Sequence, residues 1–128
     1  MFKWIMLLLL ATPVACVSGA GGGVERLNPE QFESTINSTS GALIIDVRTP
    51  EEFAQGHING AQLMNIYDQD FEQKVAALPK DKPVFVYCRS SNRSMQAVPA
   101  FQKVGFKQIY ELAGGMNAWY ASGKQVKK

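Results

Sequence analysis

The strongest constraint on the fold is a pair of short apolar runs, Ala42-Leu43-Ile44-Ile45-Asp46-Val47 and Pro83-Val84-Phe85-Val86-Tyr87. Each is hydrophobic at consecutive positions, whereas a strand with one wet face is hydrophobic only at alternate ones. A strand apolar on both sides must be covered on both sides, which is the condition inside a parallel sheet. Helix-starting patterns surround these runs. Asn28-Pro29-Glu30-Gln31 offers a cap, a proline for the first turn and a glutamine to close a capping box, and Leu27 and Phe32 can staple it. Thr49-Pro50-Glu51-Glu52-Phe53 repeats the cap, proline and acidic first turn, and its helix should end near Gly56. Ala61 to Ile66 reads as a weaker strand, followed by a helix that begins at Asp68 or Asp70 and stops before Pro79. A helix over Ser94 to Val104 with Gly105 as its stop, a strand over Gln108 to Leu112 and a short helix over Met116 to Ala121 complete the pattern. Pro99 falls inside the helix over Ser94 to Val104, where it removes a backbone hydrogen bond and should kink the helix at a cost of up to ~3 kcal/mol. Buried strands alternating with helices predict an α/β fold with a mainly parallel sheet covered by helices.

With 128 residues, 46% apolar and 19% charged, the chain has one domain's worth of globular sequence. Its start reads differently. Lys3, the apolar run Trp4 to Ala11 and the small residues ending Ser18-Gly19-Ala20 are the three parts of a secretory signal. The run is too short to span a bilayer, which takes ~20 apolar residues. Cleavage before Gly21 is one outcome. Val14-Ala15-Cys16 is similar to the end of a lipoprotein box, with Pro13 where leucine is usual, so lipidation of Cys16 is the other. The expected organisation is a signal over 1–20 (or 1–15 with lipidated Cys16), a flexible linker over 21–26, a domain over 27–123 and a solvated basic tail over 124–128. The expected location is the bacterial periplasm, or the envelope as a lipid-anchored protein, with membrane contact only in the lipidated case. Lys3 is among 13 basic residues set against 11 acidic ones, so the remaining body is close to neutral and implies no nucleic-acid partner.

Cys88 is the only thiol of the folded region, which excludes an internal disulfide. It closes the second buried run and begins the polar segment Cys88-Arg89-Ser90-Ser91-Asn92-Arg93-Ser94, at the carboxyl end of a strand where such sheets place their sites. A loop wrapped around a thiol before a helix aims several backbone N–H groups at the sulfur, and the helix dipole adds positive potential. Arg89 and Arg93 add charge. All of this favours a partly exposed thiolate that attacks electrophilic sulfur and attracts an anionic donor. No general base is then required, and His57, the only histidine, is read as structural. Asp46 and Arg48 are read as an ion pair supporting a loop, and Phe53 and Trp119 as core. One histidine and one mature cysteine form no ligand cluster, so neither metal nor cofactor is expected.

The loop resembles the rhodanese active-site pattern Cys-Arg-x-Gly-x-Arg-Ser. Four further stretches are similar to motifs of that family, in order and at compatible spacing: Asp46-Val47-Arg48 with Glu51-Glu52-Phe53; Gly56-His57-Ile58-Asn59-Gly60-Ala61; Asn65-Ile66; and Leu112-Ala113-Gly114-Gly115-Met116 with Trp119. The likeness covers residues 24 to 123. It implies a central, mainly parallel five-stranded sheet flanked by helices on both faces, and a thiosulfate sulfurtransferase-like activity. Sulfane sulfur would pass from thiosulfate or a similar small anionic donor, through a Cys88 persulfide, to a thiol or protein acceptor, or to cyanide in an assay. The backbone N–H groups of Arg89, Ser90, Ser91, Asn92, Arg93 and Ser94 would cradle the sulfur, with the Arg89 and Arg93 side chains assisting anion binding. A monomer is expected. Four residues separate Cys88 from Arg93, whereas the family's phosphatases and arsenate reductases use a loop one residue longer. Ser91 departs from the pattern, standing where glycine is usual; a left-handed backbone there is costly to serine and easier for neighbouring Asn92. That departure favours the alternative of a module that carries sulfur or docks a partner without turnover.

Overall fold

The structure is a computed structural model that describes residues 22–128, so the export signal and Cys16 lie outside the described residues. Five strands, β1 (Gly23–Leu27), β2 (Leu43–Asp46), β3 (Gln62–Leu63), β4 (Val84–Tyr87) and β5 (Gln108–Leu112), form one sheet in the order β1-β5-β4-β2-β3, every neighbouring pair parallel. The helices are α1 (Pro29–Asn37), α2 (Pro50–Gln55), α3 (Phe71–Ala76), α4 (Asn92–Lys103) and α5 (Gly115–Ala121). Both capping boxes form: Asn28 with Gln31, and Thr49 with Glu52.

The central strands are covered on both faces. Ile45, Val84, Val86 and Ile109 pack with Phe71 and Val75 of α3 and with Ala97, Val98 and Phe101 of α4. Ile44, Phe85, Tyr87 and Leu112 pack on the other face with Phe32, Met116 and Trp119. Phe85 meets Phe32 edge to face at 5.5 Å, and each such fully buried ring contributes about 1.5–3 kcal/mol. α4 continues through Pro99 to Lys103. The weak strand is shorter than its sequence pattern, with only Gln62 and Leu63 paired to β2.

Two segments read as loose are structured. The expected linker over 21–26 contains most of β1, whose residues up to Arg26 are exposed and carry no hydrophobic alternation. What makes them a strand is pairing to β5, with Arg26 opposite Glu111, a long-range effect invisible in local sequence. The expected basic tail is docked. Lys124 Nζ lies 2.9 Å from both Glu30 and Glu33 of α1, Val126 packs against the core on the Phe32 and Trp119 face of the sheet, and Lys127 exchanges backbone hydrogen bonds with His57.

Candidate active site

β4 delivers Cys88 directly from the centre of the sheet. Tyr87, the last residue of the strand, is fully buried and its hydroxyl accepts the Ile58 N–H at 3.1 Å; burial pushes its ionisation far above the usual phenol range. The chain then turns through Arg89 and Ser90 into α4. Cys88 is 1% exposed, so its sulfur lies at the floor of the loop and not at the half-open position expected. The cradle is narrower than expected too. The Ser91 N–H donates to Sγ at 3.1 Å and the Ser94 hydroxyl lies 3.3 Å away; these are the polar contacts of Sγ among the described residues.

Ser91 takes the left-handed conformation itself, with φ 79° and ψ −15°, and Asn92 begins the helix. Among the described residues it is the only non-glycine with positive φ. The side chain that makes this costly also offsets the cost. Its hydroxyl donates to the Leu112 carbonyl at 3.2 Å and accepts the Gly114 N–H at 2.8 Å, tying the loop to the turn between β5 and α5. Serine here is a different solution from glycine, one that exchanges backbone freedom for a cross-link.

The same turn explains the paired glycines. A Cβ on Gly115 would sit 2.4 Å from the Cys88 carbonyl oxygen and 2.6 Å from that of Arg89, so only glycine permits this approach. The approach lets α5 donate the N–H groups of Met116 and Asn117 to those carbonyls at 2.9 and 3.0 Å. β5 and α5 thus hold the loop from below.

The two loop arginines differ. Arg93 makes a two-pronged ion pair with Glu52 of α2, at 2.6 and 2.8 Å, which holds the Glu52 carboxyl down to about 2. Its guanidinium is therefore committed to fastening α2 to α4, and it does not stand free for an anion as expected. Arg89 is exposed and lines a cleft of about 250 Å³ together with Arg48, Glu52, Gln55, Asn117 and Tyr120. Arg48 is fixed by Asp46 at 2.7 Å and donates to the Gly56 carbonyl, also at 2.7 Å, the loop support its sequence position suggested. His57 stacks on Phe53 at 3.7 Å, with Nδ1 against the Phe53 carbonyl, in a structural setting.

A residue that sequence reasoning missed lies behind the sulfur. Glu111 of β5 is fully buried on the sheet face covered by α4 and accepts a 2.9 Å hydrogen bond from Ser94. On its other side Arg26 donates at 3.2 Å. The available signal was a carboxylate inside a strand, at the inward register set by Ile109. Among the described residues no buried side-chain nitrogen or oxygen lacks a partner.

A cysteine at the carboxyl end of the middle strand of a five-stranded parallel sheet, with its sulfur held by a short loop leading into a helix, defines the rhodanese-like class. Residues 28–122 match the model of the rhodanese-like domain. The chain belongs to this family. It is 33% identical over 103 residues to a sulfurtransferase of Allochromatium vinosum, covering 80% of this chain and 94% of that one. It is 35% identical over 95 residues to the thiosulfate sulfurtransferase GlpE of Pseudomonas aeruginosa, covering 74% and 83%. A rhodanese-related protein of Thermoplasma volcanium superposes with a TM-score of 0.70 at 27% identity, over 80% of this chain and 96% of that one. With sulfurtransferases among its relatives, the family membership supports sulfur transfer as the general activity.

Proposed function

We propose that this domain transfers sulfane sulfur from a small anionic donor such as thiosulfate through a persulfide on Cys88. The observation that carries the reading is the seating of Sγ 3.1 Å from the Ser91 N–H on the floor of the loop that leads into α4. The Cys88 thiolate attacks the outer sulfur of thiosulfate, the donor S–S bond breaks, and its electron pair leaves with sulfite. The negative charge then resides on the new outer sulfur, where the amides of the loop from Arg89 to Ser94 receive it. A nucleophilic acceptor, a thiol or a protein group, attacks that outer sulfur and the electron pair of the Sγ–S bond returns to Cys88. Arg89, in the adjoining cleft, draws the donor anion in. Arg93, neutralised by Glu52, keeps the loop in shape.

The burial of Cys88 at 1% exposure favours a second reading, a carrier that loads and releases sulfur slowly to one docked partner. Both readings are separated by intact mass after incubation with thiosulfate. Gain of one sulfur, absent in Cys88→Ser and lost on adding cyanide, supports the transferase. Gain without loss to cyanide supports the dedicated carrier, and no gain at any donor concentration refutes both. The proposal places the protein outside the cytoplasm, with Gly21 or acylated Cys16 at the mature N-terminus, and the mass of that terminus tests it.

A further inference from the structure

Ser94 has one hydroxyl proton and three neighbours that could accept it. The Glu111 carboxylate oxygen lies at 2.9 Å, the Ser91 carbonyl at 3.2 Å and Cys88 Sγ at 3.3 Å. The carboxylate is the nearest and, while Cys88 is a thiol, the only acceptor with a formal charge, and charge-assisted hydrogen bonds are about twice as strong as neutral ones. The proton therefore points at Glu111. What Ser94 offers the sulfur is a lone pair, which can accept from a thiol S–H but cannot donate to a thiolate.

We infer that Glu111 is a positioning residue for the sulfur chemistry: by holding the Ser94 hydroxyl proton, it keeps negative charge off Cys88 Sγ. Its own charge, two hydrogen bonds from the sulfur in the buried interior, acts in the same direction. Resting on the persulfide reading above, this gives the relay a chemical purpose. In the loaded state the charge is on the outer sulfur and Sγ is neutral; before loading and after release the charge is on Sγ itself. Glu111 thus favours the loaded form over the empty thiolate and slows release of sulfur to acceptors that the domain does not select.

The remaining charged groups around the sulfur come from different elements. Arg93 of α4 is paired with Glu52 of α2, Arg48 with Asp46 at the end of β2, and Arg89 stands exposed on the loop. Arg26 of β1 touches Glu111 from the half-open side, its own side chain 51% exposed. None of these contacts Ser94, and replacing Glu111 leaves all but Arg26 in place. Glu111→Gln keeps the shape of the side chain and lets Arg26 turn to water.

The test is the pH profile of alkylation of Cys88 by iodoacetamide in the full chain, read as the mass of the Cys88 peptide, in wild type, Glu111→Gln, Ser94→Ala and the double variant. Freed from the carboxylate, the hydroxyl can donate to the thiolate, a bond to a charged group strong enough for about a tenfold gain in thiolate fraction, or about one pH unit. The expected result is an acid displacement of about that size in Glu111→Gln and a much smaller one when the change is made in Ser94→Ala. An unchanged or alkaline-displaced profile overturns the inference, as does an equal displacement in both backgrounds, which would mean charge alone without the hydroxyl. Should Glu111→Gln fail to show a cooperative melt, Glu111→Asp keeps the charge but withdraws it from Ser94, and the absence of any acid displacement there is equally fatal. Alkylation requires no sulfur donor, so absence of persulfide loading in wild type would remove the proposed function and leave this result standing.

Discussion

Replacing Ser91 by glycine and by alanine separates the two things this residue does. Its left-handed backbone, φ 79°, costs a residue with a Cβ about 1–2 kcal/mol relative to glycine. Its hydroxyl makes two hydrogen bonds, to Leu112 and from Gly114, worth about 0.5–1.5 kcal/mol each. Ser91→Gly loses both bonds and about 0.5–1 kcal/mol of chain entropy but relieves the strain, so a net loss of about 1 kcal/mol is expected. Ser91→Ala loses both bonds and keeps the strain, for a loss of about 2–3 kcal/mol with the Gly114 N–H deprived of its acceptor. In thermal unfolding, where 1 kcal/mol moves the midpoint of a small domain by about 4–8 °C, alanine should melt clearly below glycine and both below wild type. Alanine equal to wild type would show that the hydroxyl bonds contribute nothing, and glycine more stable than wild type by over about 1 kcal/mol would show that they fail to offset the backbone. Either result refutes the cross-link as the reason serine is tolerated here.

Glu52 should make the domain acid-sensitive: its folded value, about 2, lies below the ordinary 4.5, so the stabilisation is complete above pH 4.5 and is lost as pH falls toward 2. Glu52→Gln should flatten that part of a urea-midpoint-against-pH curve by on the order of 2 kcal/mol, and an unaltered curve would mean that the pair with Arg93 is idle. Gly115→Ala forces a methyl group against the Cys88 and Arg89 carbonyls; a loss of about 1–3 kcal/mol and impaired sulfur loading are expected, and normal loading would show that the loop is not held from below. Deleting 125–128 removes the Gln125 carbonyl that accepts the Trp119 indole N–H at 3.0 Å, the Val126 packing and the pairing with His57. It should lower stability by about 1–2 kcal/mol without altering Cys88 alkylation, and an unchanged melt would return these residues to the status of a solvated tail.

What could be read in the chain beforehand was whatever is encoded locally. The doubly apolar runs at 42–47 and 83–87 announced buried parallel strands because their covering is a property of the run itself. Asn28 and Thr49 announced helix starts because a cap and its partner are three residues apart. The loop from Cys88 to Ser94 carried its chemistry in consecutive residues. What escaped depends on partners distant in sequence. β1 has no hydrophobic signature and is a strand only because β5 pairs with it, Lys124 is docked only because α1 presents two glutamates, and Arg93 is occupied only because α2 brings Glu52 to it. Glu111 could not be singled out as a neighbour of the sulfur without the register that turns it toward α4. At Ser91 the sequence exposed a departure from glycine but not its remedy, which lies 21 and 23 residues further along.

The pairing of β1 with β5 also bears on how the chain comes to be folded. Arg26 and Glu111 are 85 residues apart, so a chain emerging from its N-terminus carries β1 for most of its synthesis with no strand to join. Contacts of such separation close slowly, because the intervening loop entropy is lost before the pairing is gained. The floor of the site shares this dependence, since the Leu112 and Gly114 groups that hold Ser91 and the carboxylate that holds Ser94 all belong to the last fifth of the chain. A ribosome-bound chain that already displays Cys88 therefore has a cysteine but not yet a seated one. Its sulfur becomes distinct from any other thiol only when the C-terminal segment arrives.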